Sequence, residues 1–127
     1  MSINSNFDKL SFHDSGIVKI VRDCDKILLE LENVFLSSEH PASKGKDKLL
    51  TKCTLHIFSV ESEKAVYWDD DIAGKEHPDP DFPLDEIMHA NFENGVFHFD
   101  GFKESDSWYE WFITANSFKL EINGKDS

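Results

Sequence analysis

Between residues 108 and 122 the chain reads W-Y-E-W-F-I-T-A-N-S-F-K-L-E-I, two runs of alternating side chains separated by Ala115-Asn116-Ser117. In the second run Phe118, Leu120 and Ile122 fall on one face, and Lys119 and Glu121 on the other. That period of two belongs to a half-buried antiparallel strand, because successive side chains leave opposite faces of the pleat. The same signal recurs upstream. Residues 17–21 (I-V-K-I-V) form a short strand, and the polar stretch 23–26 turns the chain back. Ile27, Leu29 and Leu31 then alternate with Leu28, Glu30 and Glu32, as a hairpin partner would. The phase blurs at Val34-Phe35-Leu36, and a bulge near Asn33 would reconcile the two halves.

Further along, residues 37–48 read as a polar loop, 51–60 as a strand, and 65–68 as its partner across the turn Glu61-Ser62-Glu63. Pro78, Pro80 and Pro83 lack an N–H, so residues 69–83 make a poor central strand. Residues 84–90 are expected to form one or two helical turns, with Asp85 and Glu86 at the favourable N-terminal end. Asn94-Gly95 and Asp100-Gly101 read as turns flanking the strand at 96–99. About seven short strands with local connections and at most one short helix predict a mostly β, single-domain antiparallel fold over residues 1–127. A β-barrel closed from an up-and-down meander and a two-layer β-sandwich both fit. Residues 1–10, anchored only by Phe7 and Leu10, are expected to form a loose N-terminal arm.

Composition agrees with a packed core: 39% of the 127 residues are hydrophobic, and 11 are Phe. No apolar run approaches the roughly 20 residues that span a bilayer, and the N-terminus lacks the basic and apolar regions of a secretory signal. The cytoplasm is therefore the expected compartment. Its reducing conditions suit a chain with two cysteines, Cys24 in a polar turn and Cys53 in a strand as a small buried hydrophobe. The formal net charge of −12 argues against nucleic acid and anionic membrane as partners, and favours cationic ones. The same charge would also arise from selection for solubility alone.

Four groups of residues are candidates for chemistry. Asp69, Asp70, Asp71, Glu76, Asp79 and Asp81 place six carboxylates in thirteen positions, offset by Lys75 alone. Oxygen donors in a loop suit calcium, but Ala73 and Pro80 occupy ligand positions of the calcium-loop pattern, which argues against a metal there. The six histidines match no zinc spacing, although His56 and His98 on strands could meet across a sheet, His98 facing outward with Asp100. Phe12-His13-Asp14-Ser15-Gly16 offers base, acid and nucleophile, yet consecutive residues cannot form a working triad; a turn with Gly16 at positive φ explains them. Finally, Tyr67, Trp68, Trp108, Tyr109 and Trp111 form an aromatic set; on the last hairpin Trp108 and Phe112 share one face and Tyr109, Trp111 and Ile113 the other, as a doubly covered strand or as an exposed patch rimmed by Glu104, Asp106 and Glu110.

The F-H-D-S segment leading into a short strand and then into Leu29-Glu30-Leu31-Glu32 resembles small bacterial proteins, some of them akin to the immunity proteins that accompany polymorphic toxins. The resemblance covers about residues 11–36. It implies a stoichiometric binder without catalytic residues or cofactor. The expectation is thus a non-catalytic module that occludes a basic toxin, with Asp69, Asp70, Asp71, Asp79 and Asp81 supplying charge and Trp108 and Trp111 supplying anchors. Two alternatives remain at this level: a small hydrolase or isomerase using His13 and Asp14 or His56 and His98, and a small-molecule or carbohydrate binder with a pocket beside Trp108 or Trp111. A homodimer through an exposed sheet face fits all three.

Overall fold

The structure, a computed structural model, describes residues 2–68, 75–76, 83–102 and 108–122. Among these residues, eleven strands make up one antiparallel sheet: β1 (Ser2–Ile3), β2 (Leu10–Ser11), β3 (Ser15–Asp23), β4 (Lys26–Leu36), β5 (Lys48–Phe58), β6 (Ser62–Trp68), β7 (Lys75–Glu76), β8 (Glu86–Glu93), β9 (Val96–Phe102), β10 (Trp108–Thr114) and β11 (Ser117–Ile122). The order is β1-β11-β5-β4-β3-β8-β9-β10-β6-β7, with β2 on β4. Among the described residues the only helical pieces are 3-10 turns at Phe7–Lys9 and Pro41–Ser43. None is long or apolar enough to cross a membrane.

Alternation does what the sequence pattern predicts. Ile27, Leu29 and Leu31 of β4 are buried, then the phase shifts to Val34 and Leu36, with Asn33 at φ 62° between the two halves. Asn94 and Gly95 take φ 53° and 78° in the two-residue turn between β8 and β9, the conformation that Asn-Gly favours. Cys53 is buried and Cys24 exposed.

The sheet bends over on itself. Phe97 of β9 and Phe118 of β11 lie five strand spacings apart along the sheet, about 24 Å if it were flat. Their ring centroids are 6.2 Å apart. Two layers therefore face each other, β1-β11-β5-β4-β3 against β8-β9-β10-β6-β7, and the core of Leu29, Leu55, Phe97, Phe99 and Trp111 lies between them. The seam is narrow: β3 and β8 pair only at Ser15↔Ile87 and Gly16↔Glu86, supplemented by Asp14 N–H to the Ile87 carbonyl and Ile17 N–H to that of Asp85. The sheet is not closed into a barrel: its order ends at β1 on one side and β7 on the other, and among the described residues these two do not pair.

Four local expectations are corrected. Residues 65–68 are not the partner of 51–60: β6 takes in Ser62 and Glu63, where the turn was expected, because β10 offers it a ladder from Thr114 to Trp108, while β5 lies between β4 and β11. The N-terminal arm is docked: Ile3, Phe7 and Leu10 are 2%, 5% and 6% exposed, and Ser2 and Ile3 pair with Glu121 and Leu120. Phe7 explains this, since its ring lies 5.1 Å from Phe12, 5.4 Å from Phe97 and 5.0 Å from Phe118. Residues 84–90 contain no helical turn; β8 begins at Glu86 because β9 offers it a full ladder from Phe102 to Val96, which outweighs weak local propensity. Asp100-Gly101 is not a turn but the interior of β9. A Cβ at Gly101 would stand 2.0 Å from the Glu86 carbonyl oxygen, so the missing side chain admits the neighbouring strand at its bulge between Ile87 and His89.

Candidate functional site

The inner face of the second layer is closed by Tyr109, Trp111 and Ile113 of β10 and by Phe97 and Phe99 of β9, all buried. Period-two alternation then sends Trp108, Glu110 and Phe112, and His98, Asp100 and Phe102, to the outer face. Register aligns them in rows. Trp68, Trp108 and Phe102 form one; Val66, Glu110, Asp100 and His89 the next; Lys64, Phe112, His98 and Asn91 a third.

The middle of this face is a polar network framed by rings. Asp100 and Glu110 are directly opposite on adjacent strands, with side chains only 13% and 20% exposed. Like charges so placed repel, and more strongly when half-buried. Each is met by one imidazole: His89 Nδ1 is 2.8 Å from Asp100 Oδ1, and His98 Nε2 is 3.0 Å from Glu110 Oε1. The Trp68 indole N–H donates to Glu110 Oε2 at 2.6 Å. The His98 ring stacks on Phe112 at 4.6 Å and 20°, and Trp108 meets Phe102 edge-on at 5.2 Å. Lys64 is the one Lys or Arg on these outward rows and stands opposite Phe112. Among the described residues, neither Asp100 nor Glu110 has an ion pair with Lys or Arg.

Of the residues expected to bind a partner, Trp108 is half-buried on this face. Trp111 is not: it is 0% exposed, its indole N–H donates to Glu63 Oε1 at 3.1 Å, and Arg22 lies 5.7 Å over its ring. The Arg22–Glu63 pair, at 2.9 Å, ties β3 to β6 over that end of the core. Asp69, Asp70, Asp71, Asp79 and Asp81, like Glu104 and Asp106, lie outside the described residues.

The sequence motifs with catalytic overtones separate. In F-H-D-S, Phe12 is core, His13 Nδ1 lies 3.0 Å from the Met88 carbonyl, and Asp14, rather than Gly16, takes positive φ (65°). Ser15 is fully buried and donates to the Asn33 carbonyl at 2.9 Å. The segment is a joint between β3, β4 and β8, and His13 and Asp14 point outward, 60% and 67% exposed. His56 is four strand positions from His98 and faces Glu121 at 3.6 Å instead. The two histidines do not meet, since each lies on the outer side of its own layer.

Sequence reasoning identified His98 with Asp100 but not Glu110, Trp68 or His89 as their companions. The signal was the i, i+2 spacing of Trp108, Glu110 and Phe112; the missing information was register, which sets Glu110 opposite Asp100. No protein-family model, curated protein or solved structure matches this chain.

Proposed function

We propose that the chain is a non-catalytic protein-binding module, most concretely an immunity-like inhibitor that occludes a basic partner, and that the outer face of β6, β10, β9 and β8 is its docking surface. The observation that carries this reading is the opposed pair Asp100–Glu110, half-buried, without a Lys or Arg partner among the described residues, and framed by Trp68, Trp108, Phe102 and Phe112. A lysine or arginine entering between the rings would offset part of the pair's charge, stack on an aromatic face and lie in a partly desolvated position. The net charge of −12 would steer such a partner in, and Asp69, Asp70 and Asp71, which follow Trp68 directly in the chain, would add to that field. His13 and Asp14 meet each other at 3.5 Å on an exposed surface, Ser15 is buried and bonded to the Asn33 carbonyl, and His56 faces Glu121, an arrangement that gives the hydrolase reading no support.

Affinity capture from the native host with tagged wild-type chain and with Glu110→Lys tests the reading. A basic partner in one-to-one ratio, recovered by the wild type at low salt, released at high salt and absent from Glu110→Lys, is the expected outcome. A partner retained at high salt and bound equally by the variant would remove this face from the interaction.

A further inference from the structure

The same face carries a second chemistry that needs no protein partner. One ligand atom each from His98, Asp100 and Glu110 lies within 4.8 Å of the others. A tetrahedral zinc site with bonds of about 2.0–2.1 Å holds its nitrogen and oxygen ligands about 3.3 Å apart. Shifts of about an ångström in rotatable side chains would therefore bring the three to a common ion.

We propose that His98 Nε2, an Asp100 oxygen and Glu110 Oε1 form a binding site for a divalent transition-metal ion of the zinc type. Three features distinguish the cluster from a surface accumulation of carboxylates. It includes an imidazole, which selects borderline transition metals over calcium or magnesium. Its two carboxylates are forced opposite each other by strand register and half-buried, so each folded molecule holds a repulsion that a divalent cation relieves. Each ligand is also oriented from behind. His89 holds Asp100 at 2.8 Å, the Trp68 indole holds the other Glu110 oxygen at 2.6 Å, and stacking on Phe112 fixes the plane of His98. Hydrogen-bonded supports of that kind orient metal ligands and raise their affinity. Binding replaces the His98–Glu110 contact by two bonds to the ion, with any proton on Nε2 moving to the other ring nitrogen or to solvent. Three protein ligands leave at least one coordination position to water.

The test is calorimetric titration of the purified, chelator-treated full chain with Zn²⁺ alone, which reports on the metal whether or not a protein partner exists. One equivalent should bind saturably. His98→Gln and Glu110→Gln, near-isosteric changes on a half-exposed face, should abolish that isotherm, and Trp68→Phe should weaken it by about 10-fold. His13→Gln and His56→Gln, which alter the other His–carboxylate pairs, should leave it unchanged. Absence of a saturable one-to-one isotherm with the wild type would overturn the proposal. So would an isotherm that His98→Gln leaves intact while far-ultraviolet circular dichroism shows the variant folded.

Discussion

Phe7→Ala probes the docking of residues 1–10, the segment for which local sequence and tertiary structure disagree most. Phe7 is 5% exposed, stacks on Phe12 at 5.1 Å and presents its edge to Phe97 and Phe118 at 5.4 and 5.0 Å. Truncating a buried Phe to Ala costs about 3–5 kcal/mol, the transfer term plus the cavity left behind. A detached arm would give a cost near zero. With a urea slope of about 2 kcal/mol/M, the expected loss moves the unfolding midpoint down by about 2 M. Two companions identify the cause. Phe7→Leu keeps most of the apolar volume and gives up mainly ring–ring geometry, about 0.5–1.5 kcal/mol for each pair lost. Phe112→Ala, on the half-exposed outer face, should cost less than Phe7→Ala. Equilibrium urea denaturation followed by tryptophan fluorescence and circular dichroism measures all three. Coincident midpoints for wild type and Phe7→Ala would refute the docking of the arm and the aromatic cluster built on it.

Two further substitutions test strand contacts on either side of the seam, one within each layer. Gly101→Ala places a Cβ 2.0 Å from the Glu86 carbonyl oxygen, and relieving that clash should cost about 1–3 kcal/mol or more, seen as a lowered Tm; an unchanged Tm would mean that β8 does not approach β9 there. Ser15→Ala removes the hydroxyl that donates to the Asn33 carbonyl and should destabilise by about 1–3 kcal/mol in denaturant, whereas a Ser15 without that bond would tolerate the change.

The acidic pair at the centre of the outer face has a physical consequence for both proposed activities. A cationic side chain and a divalent ion would each relieve the same repulsion between Asp100 and Glu110, so the two ligands should compete. Opposed like charges lower the stability of the isolated sheet and are tolerated because His89, His98 and the Trp68 indole partly offset them. Such a local cost is the expected mark of a binding surface, where groups suited to a ligand are less suited to the free fold.

By itself the sequence determined the fold class, the paths of most long strands and which of their side chains face inward. These follow from alternation within a few residues, as at Ile27-Leu29-Leu31 and Phe118-Leu120, and from turn chemistry such as Asn94-Gly95. Tertiary structure alone decided what depends on a distant neighbour. Residues 84–90 became strand because β9 pairs with them, Gly101 lies mid-strand because Glu86 needs the space, and Phe7 holds the arm because Phe12, Phe97 and Phe118 converge on it. The candidate site belongs to the second kind. His98 and Asp100 are legible as outward neighbours, but the position of Glu110 opposite Asp100 is a matter of register. Alternation decides which face a side chain takes, but not which residue of the neighbouring strand stands opposite it.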